Sequence, residues 1–411
     1  MCDRIIEICL NVNLFELLNL WDRTLIHPPY DGQQYRDVFG ILQCNKYLNK
    51  IITQKLLKYI YIPLSIILQK SPERIKFYET NVCKLYANTM LENDTRYLFQ
   101  KLSHLIICHT CDVKNLKYAQ CQKLQHLELG EDFDQFLNVG QLINEDFDQL
   151  IKKESLPLNL TTLIFGKYFN QSIKKDVLPI NLKIIKFGEF FDQPIGAPLN
   201  ENGVLPINLT ELTFGMYFDQ PIKKGMLPIN LSKLVFGVCF NQPIEEGTLP
   251  ENLLNLTFDE CFNQPIEEDV LPMSLTKLKF GFNFNQRIER NVLPINLKKL
   301  TFGEDYNRPT LKFGAMLNPS TSLTGLLPIP KESLPINLIK LRIGCKFNLS
   351  ALLPIYTDAL PISLKTLEFG YNCYDKINKN TLIDRLTKLI IDESFDKIID
   401  DKINQRILVV R

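Results

Sequence analysis

A 22-residue unit, restated almost word for word, constrains this chain more than any figure of its composition. Leu-Pro pairs open the unit at Leu156, Leu178, Leu205, Leu227, Leu249, Leu271 and Leu293, at spacings of 22, 27, 22, 22, 22 and 22. The pair returns at Leu334 and Leu360, after gaps of 41 and 26. Catalytic motifs are normally stated once, whereas a sentence repeated at fixed spacing describes a building unit. The three odd gaps exceed one period by 5, 19 and 4 residues. Insertions, among them 196–204 and a longer stretch from about Asn318 to Pro330, therefore read as surface excursions from otherwise regular turns.

The consensus is L-P-x-N/S-L-x-x-L-x-F-G-x-x-F/Y-N/D-Q-P-I followed by four variable residues. Across Leu209, Leu212 and Phe214 the spacing shifts from three to two, which sets the last two side chains on one face of a short strand. Pro206 discourages a helix before that strand, Gly215 permits a sharp turn after it, and Asp219-Gln220-Pro221 marks a second turn. One short strand and an irregular coil per unit are expected. Six inward residues (Leu205, Leu209, Leu212, Phe214, Phe218 and Ile222) cannot offset the ordering of a whole unit, so neighbours must stack. Phe169, Phe191, Phe218, Phe240, Phe262, Phe284 and Tyr306 are expected to form an aromatic spine. The Asn or Asp after each of these should cap its turn and bond the next coil, with a row of Gln beside it.

Weaker copies extend the array both ways, with Leu102, Leu105, Ile107 lying 22 before Leu124, Leu127, Leu129, and Leu364, Leu367, Phe369 lying 22 before Leu386, Leu389, Ile391. The expected organisation is a helical module over 1–60, a linker or helical cap over 61–101, and a solenoid over 102–411 whose regular repeats span 156–312.

The unit resembles the FNIP repeat, a relative of leucine-rich repeats known mainly from amoebae and the large DNA viruses that infect them. The resemblance implies a curved parallel sheet, a recognition role and no catalysis. Proteins of that family often begin with an F-box, a helical module that docks on the adaptor of a cullin ubiquitin ligase. Phe15-Glu16-Leu17-Leu18 looks like its first helix, and Val38 to Ile51 resembles its second half, with Cys44, Lys46, Tyr47 and Leu48 in place. The stretch lacks a Leu-Pro opening before Phe15, and Tyr47 stands where Trp is common. On this resemblance Leu17, Leu18, Ile41, Leu42 and Leu48 would contact the adaptor; the alternative is a helical cap shielding the first repeat, which would leave a ligase-independent scaffold.

Other functions find little support. The net charge is +1, with 12 basic and 10 acidic residues in the first hundred, so nucleic acid is not an expected partner. Eleven cysteines without framework spacing point to reduced thiols inside a cell, in the cytoplasm (the host's, were the chain viral). The most apolar run, Tyr59 to Leu68, is too short to span a bilayer and contains Pro63. Cys108 and Cys111 have zinc-ligand spacing, with Cys121 and His126 as further candidates for a metal or thiol enzyme. The repeat explains their alignment equally well, since His104 and His126 are also 22 apart. No cofactor is expected. Cys239 and Cys261, one repeat apart, read as buried free thiols.

What remains is the concave face of the sheet, formed by the residues flanking each central Leu. Glu211, Lys233, Lys277, Lys279, Lys299, Lys340 and Arg342 would line it. Its later half is basic and suits an acidic patch on a protein partner.

Overall fold

In each turn the four residues Pro-x-Asn/Ser-Leu fold back on themselves. In the turn opened by Leu205, the Leu209 N–H donates to the Pro206 carbonyl at 3.1 Å, and the same bond recurs at Leu160, Leu182, Leu231, Leu253, Leu275, Leu297, Leu338 and Leu364. Proline suits the start of this turn because its φ is already fixed and its missing N–H is not needed there. The chain then extends for three or four residues, long enough to pair with the turns before and after it.

A computed structural model describes residues 62–63, 70, 73, 75–76, 82–87, 100–107, 122–130, 156–196, 203–306, 333–344, 360–370, 386–391 and 408–410. The chain divides into two compact units, 1–127 and 128–411. The first holds β1 (Ile62–Pro63), β2 (Lys84–Ala87) and β3 (His104–Ile107), each parallel to the next. The boundary falls inside β4 (His126–Leu129). β1 and β2 lie in the stretch read from sequence as a linker or cap. Val82 and Leu85 precede Leu102 and Leu105 by 20 residues, so a 22-residue template passes over them. The helical module expected over 1–60, with Leu17, Leu18, Ile41, Leu42 and Leu48, lies outside the described residues.

The second unit is a parallel β-solenoid of the leucine-rich-repeat type. Its strands are β5 (Thr162–Ile164), β6 (Ile184–Lys186), β7 (Glu211–Thr213), β8 (Lys233–Val235), β9 (Asn255–Thr257), β10 (Lys277–Lys279) and β11 (Lys299–Thr301). They continue with β12 (Lys340–Ile343), β13 (Thr366–Phe369), β14 (Lys388–Ile390) and β15 (Leu408–Val410). Each pairs with its sequence neighbours in register, so Ile185 stands beside Leu212 and Leu300 beside Leu341 despite the insertions between them. Insertions therefore leave the ladder intact.

The six predicted inward positions are all buried, from Leu205 at 8% exposure to Leu209, Leu212 and Phe218 at 0%. The expected spine stacks at 6.0 Å from Phe169 to Phe191 and continues to Tyr306, 5.9 Å from Phe284. A second stack, running from Phe165 to Phe302, packs against it, with Phe214 and Phe218 only 3.8 Å apart. The expected polar row is also present: the Asn241 N–H donates to Asp219 Oδ1 at 2.8 Å, and the Asn263 N–H to Asn241 Oδ1 at 2.9 Å. Gln264 donates to the Asn241 carbonyl at 2.9 Å.

A further slot explains the end of the variable tail. Asp176, Gly225, Gly247, Asp269 and Asn291, each two residues before a Leu-Pro pair, all have φ between 60° and 85°. Only Gly, Asp and Asn reach that region readily, and only they occupy it here. The next residue is a buried aliphatic in Val177, Val270 and Val292 and a half-buried Met226 after Gly225, but Thr248 and Ser333, which also precede a Leu-Pro pair, bury hydroxyls with no partner. Thr248→Val keeps the shape and removes the orphan. It should raise stability by about 1 kcal/mol, visible as a higher urea midpoint with an unchanged slope; a loss would mean the hydroxyl is satisfied in solution.

Candidate protein-binding face

The residues flanking each central Leu alternate outward by the period of a strand, while the Leu itself is buried. Two columns result. One runs Glu211, Lys233, Asn255, Lys277, Lys299, Lys340 and Thr366; the other runs Thr213, Val235, Thr257, Lys279, Thr301, Arg342 and Glu368. All seven residues nominated from sequence stand on this face at the expected register.

Their charges are not equivalent. Lys233 Nζ is 3.0 Å from Glu211 Oε2, and the two neutralise each other across β7 and β8. Lys340 is paired with Glu368. Arg342 reaches Glu304 at 2.8 Å through one guanidinium nitrogen and Glu368 at 3.2 Å through another. This last cluster is half-buried, and a guanidinium held by two carboxylates has fixed geometry. The expected basic stripe therefore loses Lys340 and Arg342 to internal pairing. Glu368 flanks the central Leu367 of β13, whereas Glu304 belongs to no strand. Glu304 lies in the turn after β11, and only the folded register reveals its reach to β12.

Lys277, Lys279 and Lys299 remain. All three are exposed, and none forms an ion pair among the described residues. Lys277 and Lys299 face each other in register, one strand spacing apart (about 4.8 Å). Like charges opposed across a ladder repel mildly, so this arrangement does not serve the stability of the sheet. Beside them, Asn255 Oδ1 is covered and has no hydrogen-bond partner, and it neighbours Lys277 in the same column.

The other nominated cluster is only partly described. Cys108, Cys111 and Cys121 lie outside the described residues. His126 stacks on His104 at 5.3 Å, one turn apart as the repeat requires. Burial first, then Lys84 and then His126, lower the His104 pKa to about 4. Among the described residues no group of three or more His, Cys, Asp or Glu is placed to hold a metal. Cys239 and Cys261 sit in consecutive turns as free thiols in hydrogen-bond contact, and they are half-buried rather than buried. Burial, and then the neighbouring Cys261 and Asp219, push the Cys239 thiol up. No described helix is long and apolar enough to cross a membrane.

The protein matches a solved structure, CroV588, described as a novel circular leucine-rich-repeat protein, at 32% identity over 76% of this chain with a TM-score of 0.47. The match spans 48% of that chain, about half its length. No curated protein matches it. The model of the FNIP repeat matches residues 147–190, 191–239, 240–283, 262–305, 284–313 and 327–372. These segments cover more than half of the sequence, with the Leu-Pro openings and aromatic ladders described above, and the chain belongs to the FNIP repeat family.

Proposed function

We propose that this protein is an interaction receptor whose solenoid captures a target protein on the exposed face of the sheet. The observation that carries the proposal is the unpaired set Lys277, Lys279 and Lys299, held in register on a rigid ladder where the next basic groups of the same columns, Lys340 and Arg342, are neutralised internally. An acidic segment of a target would relieve their mutual repulsion and gain orientation from the fixed spacing. The reading is non-catalytic: Lys277, Lys279, Lys299 and Asn255 supply cations and an amide suited to holding a partner.

The second part of the proposal concerns recruitment. The resemblance of residues 1–60 to an F-box supports docking on the adaptor of a cullin-type ubiquitin ligase, which would make the solenoid a substrate receptor. Without that docking, the same solenoid is a binding scaffold.

One comparison tests both parts. Full-length protein and a Lys277→Glu/Lys279→Glu/Lys299→Glu variant serve as baits, with captured proteins quantified by mass spectrometry. The expected result is adaptor bound equally to both baits and a set of acidic proteins at least about tenfold depleted from the variant, as expected for reversal of buried interface charges. Identical target capture by both baits would remove the lysine face from the proposal. Absence of the adaptor from both would remove the ligase and leave the scaffold.

A further inference from the structure

The third residue of the Leu-Pro opening carries no assignment in the consensus, yet it is aliphatic in nearly every turn. Leu158, Ile180, Ile207, Ile229, Met273 and Ile295 all occupy it, and all are exposed, Leu158 to 71% and Ile229 to 55%. The asparagine that follows locks each corner to the last. Asn208 Nδ2 donates to the Ile180 carbonyl at 3.0 Å, Asn230 to Ile207 at 3.0 Å and Asn252 to Ile229 at 3.1 Å. The side chains accordingly form a row along the solenoid, repeating once per turn. The core does not need them, because the inward positions are already filled and covered. A row of aliphatic groups this long in water is the mark of a surface that another surface covers.

The flanking charges identify that surface. The tail that runs into each corner carries Lys174-Lys175 and Lys223-Lys224 in earlier turns, and Glu245-Glu246 and Glu267-Glu268 in later ones. All eight are exposed, and none is ion-paired among the described residues. The sign reverses between the turns opened by Leu205 and Leu227, and the tail of the turn opened by Leu271, Glu289-Arg290, is mixed. A partner of one sign would be attracted at one end and repelled at the other. A surface basic at one end and acidic at the other is complementary to itself turned end for end, which is what a two-fold interface requires.

We propose that two copies of this chain associate antiparallel through this corner row, with the two-fold axis between Ile207 and Ile229. The axis sets Ile207 of each copy against Ile229 of the other, and Lys223-Lys224 against Glu245-Glu246. Lys174-Lys175, two turns out on one side, and Glu267-Glu268, one turn out on the other, keep these signs without facing each other, so the charge match rests on the central pairs. Glu251 is the one acidic residue in the described row, and it breaks the apolar contact toward the acidic end. The corner lies outside the outward columns of the strands, so association leaves Lys277, Lys279 and Lys299 free. The inference stands independently of the target-capture proposal.

Sedimentation equilibrium of the full chain over a micromolar range tests it. The native protein should be a dimer that weakens as salt is raised. Ile207→Asp with Ile229→Asp should weaken association on the order of a hundredfold, each change being felt twice at a two-fold axis, while the melting curve of the subunit is retained. The charges supply a test that does not depend on those two positions. Lys223→Glu/Lys224→Glu alone and Glu245→Lys/Glu246→Lys alone should each be monomeric, and mixing the two should restore a one-to-one dimer. A native protein that stays monomeric throughout the range, a dimer indifferent to the Ile207 and Ile229 changes, or failure of the mixed charge variants to pair would each overturn the proposal.

Discussion

Gly237→Ala should cost about 3 kcal/mol, at the upper end of overpacking penalties, although it adds a single methyl group. A Cβ at Gly237 would lie 1.8 Å from the Gly215 carbonyl oxygen and 2.5 Å from its carbon. Both are backbone atoms of the preceding turn and cannot step aside like the end of a side chain. The contact repeats along the array, with Gly188 against Gly166, Gly215 against Gly188 and Gly303 against Gly281, each leaving 1.7 Å. Glycine is needed here for close approach of stacked turns. At Gly225 it is needed for another reason: φ is +85° and nothing lies within 4 Å. Gly225→Ala therefore meets only the left-handed penalty, about 1–2 kcal/mol. Asp259 occupies the equivalent slot one turn after Gly237, so the array can yield locally, and the Gly237 loss should be large rather than complete. Urea unfolding followed by circular dichroism would rank the two variants. The stacking argument fails if Gly237→Ala proves no more costly than Gly225→Ala.

The ladder of the fold was legible because one residue type fills one slot in every turn. Leu209, Leu212 and Phe214 announce a strand by spacing alone, and the parallel register follows from the constant period. Asp219 and Asn241 were readable as a polar row for the same reason. Slots defined by conformation were harder to see. Asp176, Gly225 and Asn291 share a positive φ and not a side-chain class, so the position looked variable. The third residue of the Leu-Pro opening looked unconstrained because its aliphatic character does not contribute to the core. β2 escaped because its turn is 20 residues long. On the exposed face of the sheet, alternation about a buried Leu fixes which residues of each strand point outward. It could not say which cations are free. That depends on Glu304, which comes from a turn outside the strands, on Glu368 beside Arg342 in the next strand, and on the diagonal reach of Lys340 to the same carboxylate. Charge on a face is a sum over folded neighbours, and a column of lysines in sequence becomes a smaller patch once those neighbours are in place.

Phe240→Ala should be the second large loss, about 4 kcal/mol, and its size should depend on position in the array. Phe240 is 1% exposed and touches four rings: Phe236 at 3.9 Å, Phe218 and Phe262 at 6.1 Å, and Phe258 at 6.4 Å. The space it leaves is walled by rings that are fixed by their own stacking on either side, so the site cannot collapse and the cavity term is kept. Phe169 stands at the start of the described ladder and, among the described residues, meets two rings, Phe165 and Phe191. Phe169→Ala loses fewer ring contacts among the described residues, so its cost should be smaller, near 3 kcal/mol. Stability in such an array is a sum of unit and neighbour terms, and the Phe240 ring contributes to two neighbour terms at once. The central variant should therefore lower cooperativity as well as stability, giving a broadened or two-step urea transition, whereas Phe169→Ala should shift a single transition. Equal losses at the two positions, with both transitions still single, would mean that the turns do not communicate through the aromatic spine and that the backbone ladder alone couples them.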